Sequence, residues 1–378
     1  MKNKKLLFIL AAVAILAAVL IIVTQFQKPK ESAENVIKIG AILPLTGSAA
    51  EIAEQHKQGI DFAVDEINKN DGIRGRKVQL IYEDDKNDPK LTVSAFNKLA
   101  DIHKIPIIIT VMSSPSMAIY PLADQKKVIL FANCGHPEIT KLSKWVFRNF
   151  PTSQQEAQVM VEFVKDTLKI NNLSILYIND IFGEGAMKAL KIGLENYGLR
   201  IISIDSFEKD SSDFRALITK VINLKPNAIY IYGYGKANGL IIRQIRESGY
   251  EGILLGSYNF SVEPTLSLAK EALEGSYFTM PCFDKNTNNE IKINFLNEFR
   301  NKYKKDPEWN TVIEYDAINL IAKVIRDNGY SPELIKKGLE ETNSFEGIMG
   351  RYKQINRNEW QCNICVKTIK NGKIISIQ

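Results

Sequence analysis

Cysteine and histidine are scarce in this chain of 378 residues, with four of one and three of the other. That scarcity removes several chemistries. His56, His103 and His136 fall in no HExxH or CxxC-with-His spacing, and no GxSxG, Walker or GxGxxG fingerprint occurs. Cys362 and Cys365 have CxxC spacing, but there is no second pair to complete a zinc site. Apolar or incidental thiols are therefore the expected role of Cys134, Cys282, Cys362 and Cys365. Neither a cofactor nor a metal is called for. Charge of one sign is also in short supply: the formal net charge is +6, and the lysines and glutamates are scattered. No nucleic-acid footprint results. The composition, 45% hydrophobic and 24% charged, is that of a globular chain long enough for two domains.

Long apolar runs are absent but for one. Lys2, Lys4 and Lys5 precede an uncharged stretch from Leu6 to Val23. A basic start before an apolar core is an export signal, here about as long as the shortest membrane-spanning helix. No small-x-small cleavage site follows it, and no Cys lies near its end for a lipid anchor. An uncleaved anchor over residues 6–23 is expected in preference to a cleaved signal. Either places the remainder outside the cytoplasm, in the periplasm or at the cell surface.

After a polar tether the chain alternates. Val36–Leu43 reads as strand, 49–68 as amphipathic helix, Val78–Tyr82 as strand, 91–99 as helix, and Ile105–Val111 and Val128–Ala132 as strands. From Gln154 the alternation restarts and runs to Leu255. Repeated β-α units predict parallel sheets with helices on both faces, in two doubly wound halves. The last third supplies a strand near 276–281, helices over 290–303 and 311–328, a short helix from Pro332, and a hairpin about Asn371-Gly372. Those pieces are too small to stand alone and should complete the two lobes. Ligands of such sheets sit beyond the carboxyl ends of the strands. Met112-Ser113-Ser114-Pro115-Ser116 lies at such an end, where Ser114 or Ser116 is expected to cap the following helix and its free N–H groups offer an anion site.

In order and spacing these residues resemble the type I periplasmic solute-binding proteins, of the leucine/isoleucine/valine-binding kind that serves ABC importers. The resemblance begins at Ile39-Gly40-Ala41-Ile42-Leu43-Pro44-Leu45-Thr46-Gly47. It continues through Gly72-Ile73-Arg74-Gly75, Asp84-Asp85 with Asp88-Pro89, Ser113-Ser114, Pro137-Glu138-Ile139-Thr140, Phe182-Gly183-Glu184-Gly185 and Gly233-Tyr234. It implies two Rossmann-like lobes joined by three hinge crossings, near residues 150–153, 280–284 and 360–364. Lobe 1 would be 36–152 plus 283–361, and lobe 2 would be 153–282 plus 362–378, behind an anchor and tether over 1–35.

The resemblance also implies a small ligand held between the lobes without chemistry, and an ABC permease as partner. Ser113, with Ser114, matches the position that takes the ligand carboxylate. Asn133 and Gly135 fall on a contact turn, Gly135 replacing a hydroxyl residue. Phe182 and Tyr234 stand where aromatics cover the ligand. Tyr258 stands where amino-acid binders offer an acid to the ammonium, and Glu251 and Glu263 are too distant in sequence to substitute. The ligand is thus an amino acid by resemblance, or a carboxylate or amide without an α-amine by the missing acid. Two other readings compete. One is a membrane-anchored sensing or regulatory module of the same fold. The other is a metal enzyme using Glu83, Asp84 and Asp85, which are expected on a solvated turn.

Overall fold

The computed structural model describes residues 36–377. The anchor expected over residues 6–23 lies outside them, and among the described residues no helix is long and apolar enough to cross a membrane.

The first sheet contains β1 (Val36–Leu43), β2 (Lys77–Asp84), β3 (Ile107–Val111), β4 (Ile129–Asn133) and β5 (Val146–Phe147). Its order is β2-β1-β3-β4-β5, with β1–β3, β3–β4 and β4–β5 parallel. β3 is Ile-Ile-Ile-Thr-Val and buried at every position, the run expected of a strand covered on both faces. The helices of this part are α1 (Ala50–Lys69), α2 (Pro89–Asn97), α3 (Ser113–Lys126) and the one-turn α4 (Ile139–Leu142).

The second sheet takes β6 (Asn172–Ile178), β7 (Arg200–Phe207), β8 (Ala228–Tyr232), β9 (Ile253–Gly256) and β10 (Tyr277–Pro281). Its helices are α5 (Ser153–Phe163), α6 (Ile181–Asn196), α7 (Arg215–Asn223), α8 (Gly235–Glu247) and the short α9 (Thr265–Ala269). The chain then returns to the first lobe through α10 (Glu290–Tyr303), α11 (Trp309–Asn328) and α12 (Pro332–Glu340). α11 lies against α1 so closely that a Cβ on Gly59 would stand 2.1 Å from the Thr311 carbonyl oxygen.

A small antiparallel sheet follows, of β11 (Ser344–Glu346), β12 (Arg351–Asn356) and β13 (Glu359–Gln361). Sequence periodicity does not predict it, because its strands are too short to show an alternation. Finally β14 (Ile364–Lys370) and β15 (Lys373–Ser376) extend the second sheet, giving the order β15-β14-β10-β9-β8-β6-β7. Their turn is the expected hairpin, with Asn371 at φ 52° and Gly372 at φ 68°. The chain passes between the sheets three times, after β5, after β10 and after β13. The protein is therefore α/β, with two doubly wound Rossmann-like lobes joined by three crossings.

Three expectations need correction. Cys282 and Cys365 are not incidental thiols; they form a disulfide with Cα atoms 5.2 Å apart. Antiparallel pairing of β10 with β14 sets Met280 opposite Cys365 and Pro281 opposite Ile364, and this register, absent from the CxxC spacing, brings the two sulfurs together. Cys134 and Cys362 are free and buried. Neither Ser114 nor Ser116 caps α3, because the helix begins at Ser113. The Ser116 hydroxyl instead donates back to the Met112 carbonyl at 2.7 Å. The acidic turn is not simply solvated: Asp85 is fully buried and accepts from Asn87 N–H and the Thr92 hydroxyl. Asp84 ties down Thr46, and Glu83 pairs with Lys98.

Candidate functional site

The seven residues singled out in the sequence, Ser113, Ser114, Asn133, Gly135, Phe182, Tyr234 and Tyr258, line one cavity. Its empty volume is about 510 Å³, including space open to solvent. They meet because each stands at or just beyond the carboxyl end of a parallel strand. Ser113 and Ser114 follow β3, and Asn133 ends β4 with Gly135 two residues on. Phe182 follows β6, Tyr234 follows β8, and Tyr258 follows β9. Both sheets thus present their strand ends to the same space, the place where open α/β sheets bind ligands.

On the first lobe, β3 turns into α3 within one residue, Met112, at φ 69° and ψ 145°. A non-glycine residue in this region costs on the order of 1–3 kcal/mol, and such strain collects at ligand sites. It sets Ser113 and Ser114 in the first helical turn, where N–H groups lack helical partners and the dipole favours an anion. Ser113 is 3% exposed and its Oγ has no hydrogen-bond partner other than the neighbouring Cys134 thiol; Asn133 is 1% exposed and neither its Oδ1 nor its Nδ2 has a partner. Asn310, also lining, donates to Gln55 but leaves Oδ1 unpaired. Buried polar atoms are paired almost without exception, so several orphans around one cavity mark groups aimed at a ligand.

Arg148, which sequence reasoning did not pick out, positions this wall. It is fully buried, reaches the Cys134 carbonyl at 3.1 Å and the His136 carbonyl at 2.5 Å, and pairs with Glu359 at 2.7 Å. The loop carrying Gly135 is therefore held from behind by a charged group. Burial raises the pKa of the Cys134 thiol, against the pull of Arg148.

The second lobe contributes aromatic rings. Phe182 meets Tyr234 edge to face with centroids 5.9 Å apart. Tyr258 packs on Trp309 at 4.7 Å and edge-on to Phe150 at 5.8 Å. Gly135 makes room for these rings: a Cβ there would lie 3.2 Å from Phe182 Cε2 and 3.3 Å from the Tyr258 hydroxyl. The hydroxyl lost at Gly135 thus has a phenol beside it. Tyr234 is aimed by its glycines. Gly235 takes φ 65°, and a Cβ on Gly233 would sit 2.6 Å from Asn238 Oδ1.

Asp180 also lines the cavity, and the sequence reading overlooked it. It caps α6, its Oδ1 accepting the Gly183 N–H at 2.8 Å, while Oδ2 accepts the Tyr234 hydroxyl at 2.7 Å. Burial raises its pKa, opposed by those hydrogen bonds. Its place two residues past β6 is the signal the sequence offers, masked because helix capping is so common a use of Asp. His56 lines the first-lobe side, with Nδ1 2.8 Å from the buried Glu314 carboxylate.

Two doubly wound lobes, a cavity at their facing strand ends, unpaired polar groups on one wall and aromatic rings on the other define a solute-binding protein. The chain belongs to the periplasmic binding protein family, whose model matches residues 36–369. It is 28% identical over 325 residues to the leucine-, isoleucine-, valine-, threonine-, and alanine-binding protein of Pseudomonas aeruginosa, covering 84% of this chain and 85% of that protein. It is likewise 28% identical to Leu/Ile/Val-binding protein homolog 3 of Brucella melitensis over 313 residues, 82% of this chain and 80% of the relative. The crystal structure of a leucine-binding protein, LivK, from Thermotoga maritima superposes with a TM-score of 0.85 at 25% identity, covering 91% of this chain and 98% of that one. The family places the protein outside the cytoplasm and in solute binding.

Proposed function

We propose that this protein captures a small amino-acid-like ligand between its closing lobes and presents it to an ABC permease. The cluster of orphaned polar atoms at Ser113 and Asn133, facing an aromatic wall, carries the reading. A carboxylate fits the first turn of α3, and an apolar body fits among Phe182, Tyr234 and Tyr258. Ser114, Asn133 and Gly135 complete the carboxylate side. Relatives named for binding leucine, isoleucine and valine support a branched-chain amino acid as the ligand. We assign 36–152 plus 283–361 to lobe 1 and 153–282 plus 362–378 to lobe 2, in keeping with the sheet memberships. The proposed anchor at residues 6–23 rests on the sequence alone, and it would keep the binding protein close to its permease.

The test is thermal unfolding of the purified chain against a panel of amino acids and non-amino carboxylates. A ligand selective for the folded state stabilises it by about 2.7 kcal/mol at a hundredfold excess over its Kd. Leucine, isoleucine or valine should raise the midpoint, and Ser113→Ala should abolish most of that rise without lowering the ligand-free midpoint. A panel without a single stabilising compound would refute the reading.

A further inference from the structure

The charge inventory of the cavity is short. Among the described residues that line it, Asp180 is the one carboxylate, and no lysine or arginine is present. The other titratable group of note, His56, is already paired with the buried Glu314. Asp180 has no ion-pair partner among the described residues. Its hydrogen-bond donors, the Gly183 and Phe182 N–H groups and the Tyr234 hydroxyl, are neutral, and the one cation whose charge is felt there, Lys209, does not line the cavity. An ionised carboxylate offers about four acceptor positions, so lone pairs remain on the Oδ2 side. The phenol and the helix cap fix its direction, and aromatic rings on the same wall add a surface attractive to a cation.

We propose that Asp180, held by Tyr234, is the counter-ion for a primary ammonium group on the ligand. This inference rests on the binding-protein reading above and narrows its ligand class to zwitterions. Carboxylate and ammonium would be taken by different lobes, the first at the start of α3 and the second at the start of α6. A ligand lacking the amine would bring a second negative charge into a closed cavity that already holds one, with no lysine or arginine in its lining. The cleft would therefore reject non-amino carboxylates as well as accept amino acids. Both effects require lobe closure, which is why one ligand bridging both groups would also stabilise the closed form.

The experiment compares L-leucine with its des-amino analogue, 4-methylpentanoate, by calorimetric titration of the full chain and of Asp180→Asn. Asparagine preserves the helix cap and the size of the side chain while removing the charge. Asp180→Ser, which also caps, is the second variant if the first does not fold, and a melting curve for each establishes folding. The parent chain should prefer leucine, and the leucine-to-analogue affinity ratio should fall on the order of 100-fold in the variant, as expected when one partner of a buried charge pair is removed. A ratio unchanged within about threefold would overturn the role of Asp180, as would an equal loss for both ligands. A parent chain that binds 4-methylpentanoate but not leucine would overturn the zwitterion inference and leave the binding-protein reading intact. Binding of neither probe, with no other hit in the thermal panel, would overturn both.

Discussion

Glu156 should make this protein less stable as the pH rises. It stands in the first turn of α5, fully buried, just after the first crossing. Its Oε1 accepts from the Thr279 hydroxyl at 2.7 Å and from the Tyr258 N–H at 3.3 Å, while Oε2 has no partner. Neither donor is charged, so burial dominates and pushes the carboxyl from 4.5 up to about 8. The folded state therefore keeps a proton that the unfolded chain gives up near its ordinary value. Between pH 4.5 and about 8 the unfolded state binds fewer protons, so stability falls as pH rises through that window and levels off beyond it. At about 1.36 kcal/mol per pH unit, the whole interval corresponds to roughly 5 kcal/mol.

Glu156→Gln replaces the protonated acid with a neutral isostere and removes this slope. The variant should match the parent near pH 4.5 and exceed it by several kcal/mol at pH 9. Asp316, also buried and pushed up to about 7, gives both proteins a shared slope at lower pH, so the difference between them isolates Glu156. Urea unfolding midpoints at fixed pH values from 4.5 to 9 provide the measurement. Parallel stability curves for parent and variant would refute the argument, because they would mean that Glu156 ionises in the folded state as it does in the unfolded one.

Other outcomes follow from the same geometry. Opening the Cys282–Cys365 link, by reductant or by the double change to serine, releases a loop of sequence separation 83. The chain-entropy relation for a loop of that size gives about 4–5 kcal/mol, read as a lowered urea midpoint, and an unchanged midpoint would count against the bond. Arg148→Met strands Glu359 and the Cys134 and His136 carbonyls, and should cost about 3–5 kcal/mol in chemical unfolding. Adding Glu359→Gln should recover part of that loss, whereas strictly additive losses would show that the two side chains do not act as a pair.

The alternation of strands and helices was legible because it is local: buried runs such as Ile107–Val111 and Ala228–Tyr232 have no other use in a parallel sheet. Most of the cavity was legible for a related reason. Side chains just past the carboxyl ends of parallel strands are brought to one edge by topology alone, which made the turn at Ser113 legible, whereas Asn133, Phe182, Tyr234 and Tyr258 were indicated by the family resemblance and stand at equivalent strand ends. What remained hidden depends on register and on neighbours distant in sequence. Cys365 paired with Cys282 and not Cys362 because β14 runs antiparallel to β10, a choice that CxxC spacing does not contain. The strands of the small sheet, β11 to β13, are three to six residues long, and each carries too few inward residues, such as Phe345, Tyr352 and Trp360, for an alternation to be read. Asp180 reads in sequence as an ordinary helix cap, and only the approach of the Tyr234 hydroxyl across 54 residues makes it a carboxyl group of the cleft. Patterning of apolar residues decides the layers of such a protein. The charge its binding site presents is decided by which loops those layers bring together.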